Sequence, residues 1–201
     1  MREEWERYWK GKKAKISSNK KRMMKILDNY SNGKVLDAGC GTGFFSEYFS
    51  RNNLETFSLD YSKRALKMVR ALDEKIIPIS GDIRKLPFKD MTFDTIFSDG
   101  LLEHFKDPVS ILNEFRRTLK TNGKIITFLP NRISYWIFVK PFVMKEIDEE
   151  KYDLVKIIKI HKNANLKIIK YGALGVFPFK ASPEIFSKKI GRLLYVICEK
   201  G

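Results

Sequence analysis

Residues 35–43 read Val35-Leu36-Asp37-Ala38-Gly39-Cys40-Gly41-Thr42-Gly43, and Phe44 and Phe45 follow. A short apolar run reaches an acid, three glycines alternate with other residues, and an amphipathic stretch begins. Glycine lets the backbone take positive φ and lets a ligand approach with no Cβ in the way. The first amides of the next helix point at whatever lies outside the strand's carboxyl end. The spacing is not that of a dinucleotide fingerprint, because only one residue, Thr42, separates the second glycine from the third, where that fingerprint has two. Asp37 would repel a pyrophosphate; an acid there suits a ligand with positive charge, such as a sulfonium bearing an α-amino group. No Gly-Lys-Ser/Thr follows, so this is not a P-loop.

Outward from this bend, short apolar runs alternate with longer amphipathic stretches. The runs are Val35–Ala38, Thr56–Leu59, Ile76–Ile79, Thr95–Phe97 and Lys124–Leu129, each bounded by Gly, Asp, Asn or Pro. Helical spacing is expected near 44–52, 62–72 and 108–120, the last with Asp107 as N-cap and Pro108 at the first helical position. Strand and helix in alternation mean parallel strands with crossover helices. The tail breaks the rhythm: a helix near 148–162, a run at Leu166–Tyr171, a loop with Gly172, Gly175, Pro178 and Pro183, and a last strand at Leu193–Glu199. Two late strands without a long crossover predict an antiparallel edge. The expectation is one α/β domain over residues 1–201, doubly wound, with a mostly parallel seven-stranded sheet.

Composition sets outer bounds. The 201 residues are 43% hydrophobic and 13% aromatic, which excludes a disordered chain. No apolar run reaches the roughly 18 residues of a membrane span, and residues 1–10 lack the apolar core of a secretory signal. A cytoplasmic address is expected by default. Cys40 and Cys198 form no disulfide framework, and no Cys/His cluster has metal spacing. The formal charge of +15 favours encounter with polyanions, RNA among them. A chain without glutamine and rich in Lys, Ile and Glu also fits a hyperthermophile bias, so charge alone names no partner. Oligomeric state is left open.

Residues 1–30 form a basic, aromatic leader, with Met23, Met24, Ile26, Leu27 and Tyr30 at helical spacing over about 18–30. Trp5, Tyr8 and Trp9 either fold over a ligand or lie against the sheet. Asp60 ends the second run, followed by Tyr61 and Ser62. A carboxylate there can accept both hydroxyls of a ribose, or it can cap the next helix, a task Ser62 could do equally well.

The motifs resemble, in order over about residues 34–129, those of class I S-adenosylmethionine-dependent methyltransferases, in the group of small single-domain members called type 11. The resemblance implies S-adenosylmethionine as cofactor. It places Asp37, Gly39, Gly41 and Gly43 around the cofactor and Asp60 and Tyr61 at its ribose. Gly81-Asp82-Ile83 resembles the adenine segment, with Asp82 accepting the exocyclic amine and the Ile83 N–H donating to a ring nitrogen. Phe93–Phe105 resembles the fourth strand and its loop, with Ser98 and Asp99 beside the methionine part. The turn before the fifth strand has Asn122 where the family usually has a glycine, and Asn tolerates the left-handed region.

His104 is the candidate base, because histidine titrates near neutrality and the family often carries it at this Leu-Glu-His position. The alternative is a structural hydrogen-bonder under the cofactor. Asp99 is a second candidate for contacting the acceptor. His161, at a Lys/Asn-rich helix end, is expected to be solvated. No Asn/Asp-Pro-Pro-Tyr/Phe follows the fourth strand, which disfavours methylation of an exocyclic base amine. The apolar, aromatic stretch within 130–148 is expected to cap the acceptor or pack on the core. A small-molecule or lipid-like acceptor is the leading expectation. RNA methylation, non-catalytic cofactor binding as an assembly partner, and nicotinamide-dependent oxidoreduction are the rivals.

Overall fold

A computed structural model describes residues 2–8, 17–131, 150, 152–175 and 191–201. Seven strands form one sheet: β1 Lys34–Ala38, β2 Glu55–Asp60, β3 Ile77–Ser80, β4 Phe93–Asp99, β5 Leu119–Pro130, β6 Leu166–Leu174 and β7 Leu193–Lys200. The helices are α1 Arg2–Tyr8, α2 Ser18–Tyr30, α3 Phe44–Arg51, α4 Lys63–Arg70, α5 Pro108–Thr118 and α6 Leu154–Asn163, with a short 3₁₀ turn at Leu102–His104.

The strand order is β3-β2-β1-β4-β5-β7-β6. Strands β1 to β5 pair in parallel, while β7 runs antiparallel to both β5 and β6. The expected parallel sheet with its late antiparallel strand is present. The order reverses between β1 and β4, so the carboxyl ends of these two strands flank a crevice.

Side chains alternate across the sheet. Leu36, Ile96 and Ile125 face α5 and α6, which contribute Ile111, Phe115, Ile157 and Ile160. Val35, Phe97 and Ile126 face α2 and α3, which contribute Met23, Leu27, Phe45 and Phe49. Both faces are therefore covered, which is why the strands read as nearly continuous apolar runs. Ser62 is the N-cap of α4, accepting from the Ala65 amide at 3.3 Å. Asp107 caps α5 from the Ser110 amide at 3.1 Å. Asn122 takes φ 65°, the left-handed conformation expected of it, but it lies inside β5, which starts at Leu119 and not at the expected Lys124.

The structure corrects three expectations in the tail. The helix expected near 148–162 is α6, Leu154–Asn163, and its start is set by Asp153, whose carboxylate accepts from the Lys156 amide at 2.8 Å. Gly172 lies inside β6 and not in a loop, paired with Tyr195 of β7, whose ring a Cβ there would approach to 2.9 Å. His161 is fully buried, not solvated. It follows Ile157 by four residues and Ile160 by one, so the helical period turns it onto the sheet. Its Nδ1 lies 2.8 Å from the Ile157 carbonyl and must carry the proton, leaving Nε2 to accept from the Thr127 hydroxyl at 3.2 Å.

Burial pushes the His161 pKa down to about 4. A depressed pKa contributes stability that is present above the unfolded value near 6.5 and is lost as pH falls toward 4, about 3 kcal/mol over that window. The melting temperature of the wild type should therefore fall toward that of His161→Gln as pH is lowered from 7 to 4.5. A gap that does not change with pH would contradict this. The stretch 132–148 and Trp9 lie outside the described residues, as do Pro178 and Pro183.

Candidate functional site

The glycine bend leaves β1 and enters α3 with Gly39, Gly41 and Gly43 at φ 75°, 51° and 76°. Neighbouring strand ends hold it. The amides of Gly39 and Cys40 donate to the Leu59 carbonyl at 2.8 and 3.1 Å, and Gly43 donates to Cys40 at 2.9 Å. The Gly41 amide donates to Asp60 Oδ2 at 2.9 Å, while Asp60 Oδ1 accepts from Ser62 at 2.8 Å. Asp60 thus clasps the bend and shapes the entry to α4, and Ser62 performs the capping. The Tyr61 amide adds a third backbone hydrogen bond to this carboxylate.

Asp37, Asp60 and Asp99 lie at the carboxyl ends of β1, β2 and β4, three neighbouring strands. Asp37 is buried and accepts from the Ser46 hydroxyl at 2.5 Å, which in turn accepts from Ser58 at 2.7 Å. Desolvation pushes the Asp37 pKa up to about 7, against the Ser46 hydrogen bond and with further upward pressure from the charges of Asp99 and Asp60. Burial pushes Asp99 up to about 6, opposed by the positive charge of Lys20. Asp60 is also raised by burial, with its amide donors pulling the other way and the Glu6 charge adding to the rise. A cation entering this crevice would meet concentrated negative charge in a low-dielectric setting.

Two elements ahead of the bend close on it. Glu6 of α1 accepts from the Lys63 amide at 2.7 Å, at the start of α4 beside Asp60. Lys20 of α2 places its ammonium 3.8 Å from the centroid of the Phe44 ring, at the start of α3. Neither Glu6, Lys20 nor Ser46 was singled out by motif; helical spacing from Met23 and Leu27 is the one signal that turns Lys20 inward. The Tyr8 residue of the leader is half-buried on α1.

Asp82 and Ile83 follow β3. The Asp82 carboxylate is gripped by the Arg84 guanidinium, with Nη2 to Oδ2 at 2.6 Å and Nε to Oδ1 at 3.0 Å. That pairing holds its pKa below the usual carboxylate range. The Ile83 side chain is buried among Leu59, Leu86 and their neighbours, so its backbone is what it can present outward. Tyr61 is exposed next to Asp60.

Ser98 and Asp99 are adjacent but face opposite ways. Asp99 shares the α2–α3 side with Phe97, whereas Ser98 shares the α5–α6 side with Ile96. The Ser98 hydroxyl is buried and has no protein partner among the described residues. His104 ends the 3₁₀ turn after β4, its amide donating to Leu101 at 3.2 Å. No group of His, Cys, Asp or Glu with metal-binding geometry occurs among the described residues.

A glycine bend at the reversal point of a 3-2-1-4-5-7-6 sheet, faced by buried acids, is the architecture of a Rossmann-like methyltransferase. The chain belongs to the class I S-adenosylmethionine-dependent methyltransferases of type 11, and its cofactor is S-adenosylmethionine. Residues 36–127 match the family described as "Methyltransferase domain". An uncharacterized protein of Methanocaldococcus jannaschii is 32% identical over 177 residues, covering 84% of this chain and 71% of the relative. A malonyl-[acyl-carrier protein] O-methyltransferase of Hamiltonella defensa is 31% identical over 105 residues, 52% of this chain and 41% of that enzyme. Among solved structures, a Pyrococcus horikoshii protein superposes with a TM-score of 0.72 at 20% identity, covering 97% of this chain and 99% of the other. At that identity the likeness speaks for the fold alone.

Proposed function

We propose that this chain methylates oxygen, nitrogen or carbon of a small-molecule or lipid-like acceptor, with the cofactor lying across the crevice between β1 and β4. The observation that carries the cofactor's placement is the convergence of Asp37, Asp60 and Asp99 around the glycine bend. Bound there, S-adenosylmethionine supplies a methyl already activated by its sulfonium. The acids favour its positive charges and would repel a dinucleotide's pyrophosphate.

In this reading Asp60 accepts the ribose hydroxyls, sharing its oxygens with the backbone amides or releasing one of them, with Tyr61 covering them. Gly39, Gly41 and Gly43 admit the adenosyl group. The Ile83 N–H meets the adenine ring, and Asp82 takes its amine by sharing or releasing Arg84. Asp37 and the Ser98 backbone flank the methionine part. What remains for the chain is to hold the acceptor in line with the methyl, so orientation supplies most of the rate.

His104 stands after β4 as base for an acceptor that arrives protonated, with Asp99 able to contact the same acceptor. His104→Ala should leave cofactor affinity within about 2-fold and lower turnover by roughly 10²–10⁴-fold. Full turnover would demote His104 to a packing residue. The acceptor class rests on the aromatic sequence between 133 and 144. Incubating the protein with methyl-labelled cofactor and separated RNA, lipid, protein and metabolite fractions tests it. Label in lipid or metabolites supports the reading; label in RNA alone overturns it.

A further inference from the structure

We propose that Lys20, on α2 ahead of the glycine bend, is a further cofactor-binding residue whose ammonium takes the α-carboxylate of the methionine end. The proposal rests on the reading that S-adenosylmethionine occupies this crevice. Helix α2 begins at Ser17, whose hydroxyl accepts from the Lys20 amide at 3.2 Å. Met23 and Leu27 bury one face of α2 against the sheet. Lys20 precedes them by three and seven residues, so the same face carries it inward.

The Lys20 stem is half-buried, and its ammonium ends 3.8 Å from the Phe44 ring centroid and 5.9 Å from that of Phe45. Those rings are the first two residues of α3, directly after Gly43. Desolvation lowers the Lys20 pKa, and the charge of Asp99 raises it. Lys20 therefore brings positive charge to the side of the crevice that holds Asp37 and Asp99. Asp99 offsets part of the cost of holding this ammonium in partial burial, and an incoming carboxylate would offset more.

The methionine end of the cofactor carries two cationic groups, the sulfonium and the α-ammonium, and one anionic group, the α-carboxylate. The acids match the first two. Lys20 matches the third, and it sits on the side of the bend where β1, β4 and the start of α3 meet. Residues 17–30 lie ahead of the segment 36–127 that matches the methyltransferase domain.

The test is calorimetric titration of the wild type, Lys20→Met and Lys20→Arg with S-adenosylmethionine and with its decarboxylated analogue, which lacks only the α-carboxylate. Lys20→Met keeps the apolar stem over Phe44. It should weaken S-adenosylmethionine about 10- to 100-fold, the worth of a charge-assisted hydrogen bond. The decarboxylated analogue should bind this variant as well as it binds the wild type, and Lys20→Arg should retain most of the cofactor affinity. An unchanged affinity of Lys20→Met for S-adenosylmethionine overturns the assignment. Equal loss for both ligands also overturns it, because that is the signature of a merely structural lysine. Should Lys20→Met lose helix content by circular dichroism, Lys20→Gln carries the same two-ligand comparison. Failure of the wild type to bind either ligand overturns the cofactor reading itself and the lysine's role with it.

Discussion

Asp60→Ala is expected to weaken S-adenosylmethionine binding by at least about 100-fold while leaving the fold in place. Each hydrogen bond to a charged carboxylate is worth about 1.5–3 kcal/mol, and the proposed diol contact uses two. The variant also loses the acceptor for the Gly41 amide, so the bend that shapes the crevice is held less firmly. The fold should survive because Asp60 sits at the tip of β2, and burial already disfavours its charged form. Titration calorimetry reads the affinity and circular dichroism reads the fold. Wild-type affinity in a folded Asp60→Ala protein would refute the ribose assignment.

Gly43→Ala should cost about 3 kcal/mol of stability and lower the melting temperature by about 6–12 °C for a chain of this size. Gly43 takes φ 76°, where an L residue loses about 1–2 kcal/mol. An added Cβ would also stand 2.7 Å from Leu72 Cδ1 and 2.8 Å from Val69 Cγ2, so both side chains must give way in a packed setting. Differential scanning calorimetry measures the change. A drop smaller than 2 °C would mean that the bend relaxes more easily than its packing indicates.

Much of this fold is legible from spacing alone. The glycine bend after Asp37, the alternation of apolar runs with amphipathic stretches, and the capping residues at Ser62 and Asp107 are local signals, and the structure repeats them within a residue or two. The late antiparallel strand is legible too, since the sequence between Leu166–Tyr171 and Leu193–Glu199 carries Gly172, Gly175, Pro178 and Pro183 and no clear pattern of a long crossover. What escaped the sequence is set by tertiary contact. His161 reads as polar at a helix end, yet one helical period carries it onto β5, where Thr127 and a backbone carbonyl satisfy it. Glu6 and Lys63 are far apart in sequence, and no local pattern brings a leader carboxylate to the start of α4. Ser46 is one more hydroxyl in α3 until the sheet presents Asp37 to it. Likewise, the Arg84 grip on Asp82 follows from a tight turn that the pair Gly81-Asp82 announces without naming the partner. The resemblance sets both Ser98 and Asp99 beside the methionine part, and strand alternation sends their side chains to opposite faces.

The place of the adenosyl group decides whether Asp60 and Lys20 do what is proposed of them. A crystal structure of the protein with S-adenosylmethionine measures this directly. The predicted result is density between the carboxyl ends of β1 and β4, with the ribose hydroxyls on Asp60 and the methionine end between Asp37 and Lys20. Density for the cofactor elsewhere, or a complex in which Asp60 touches no part of it, would contradict the account.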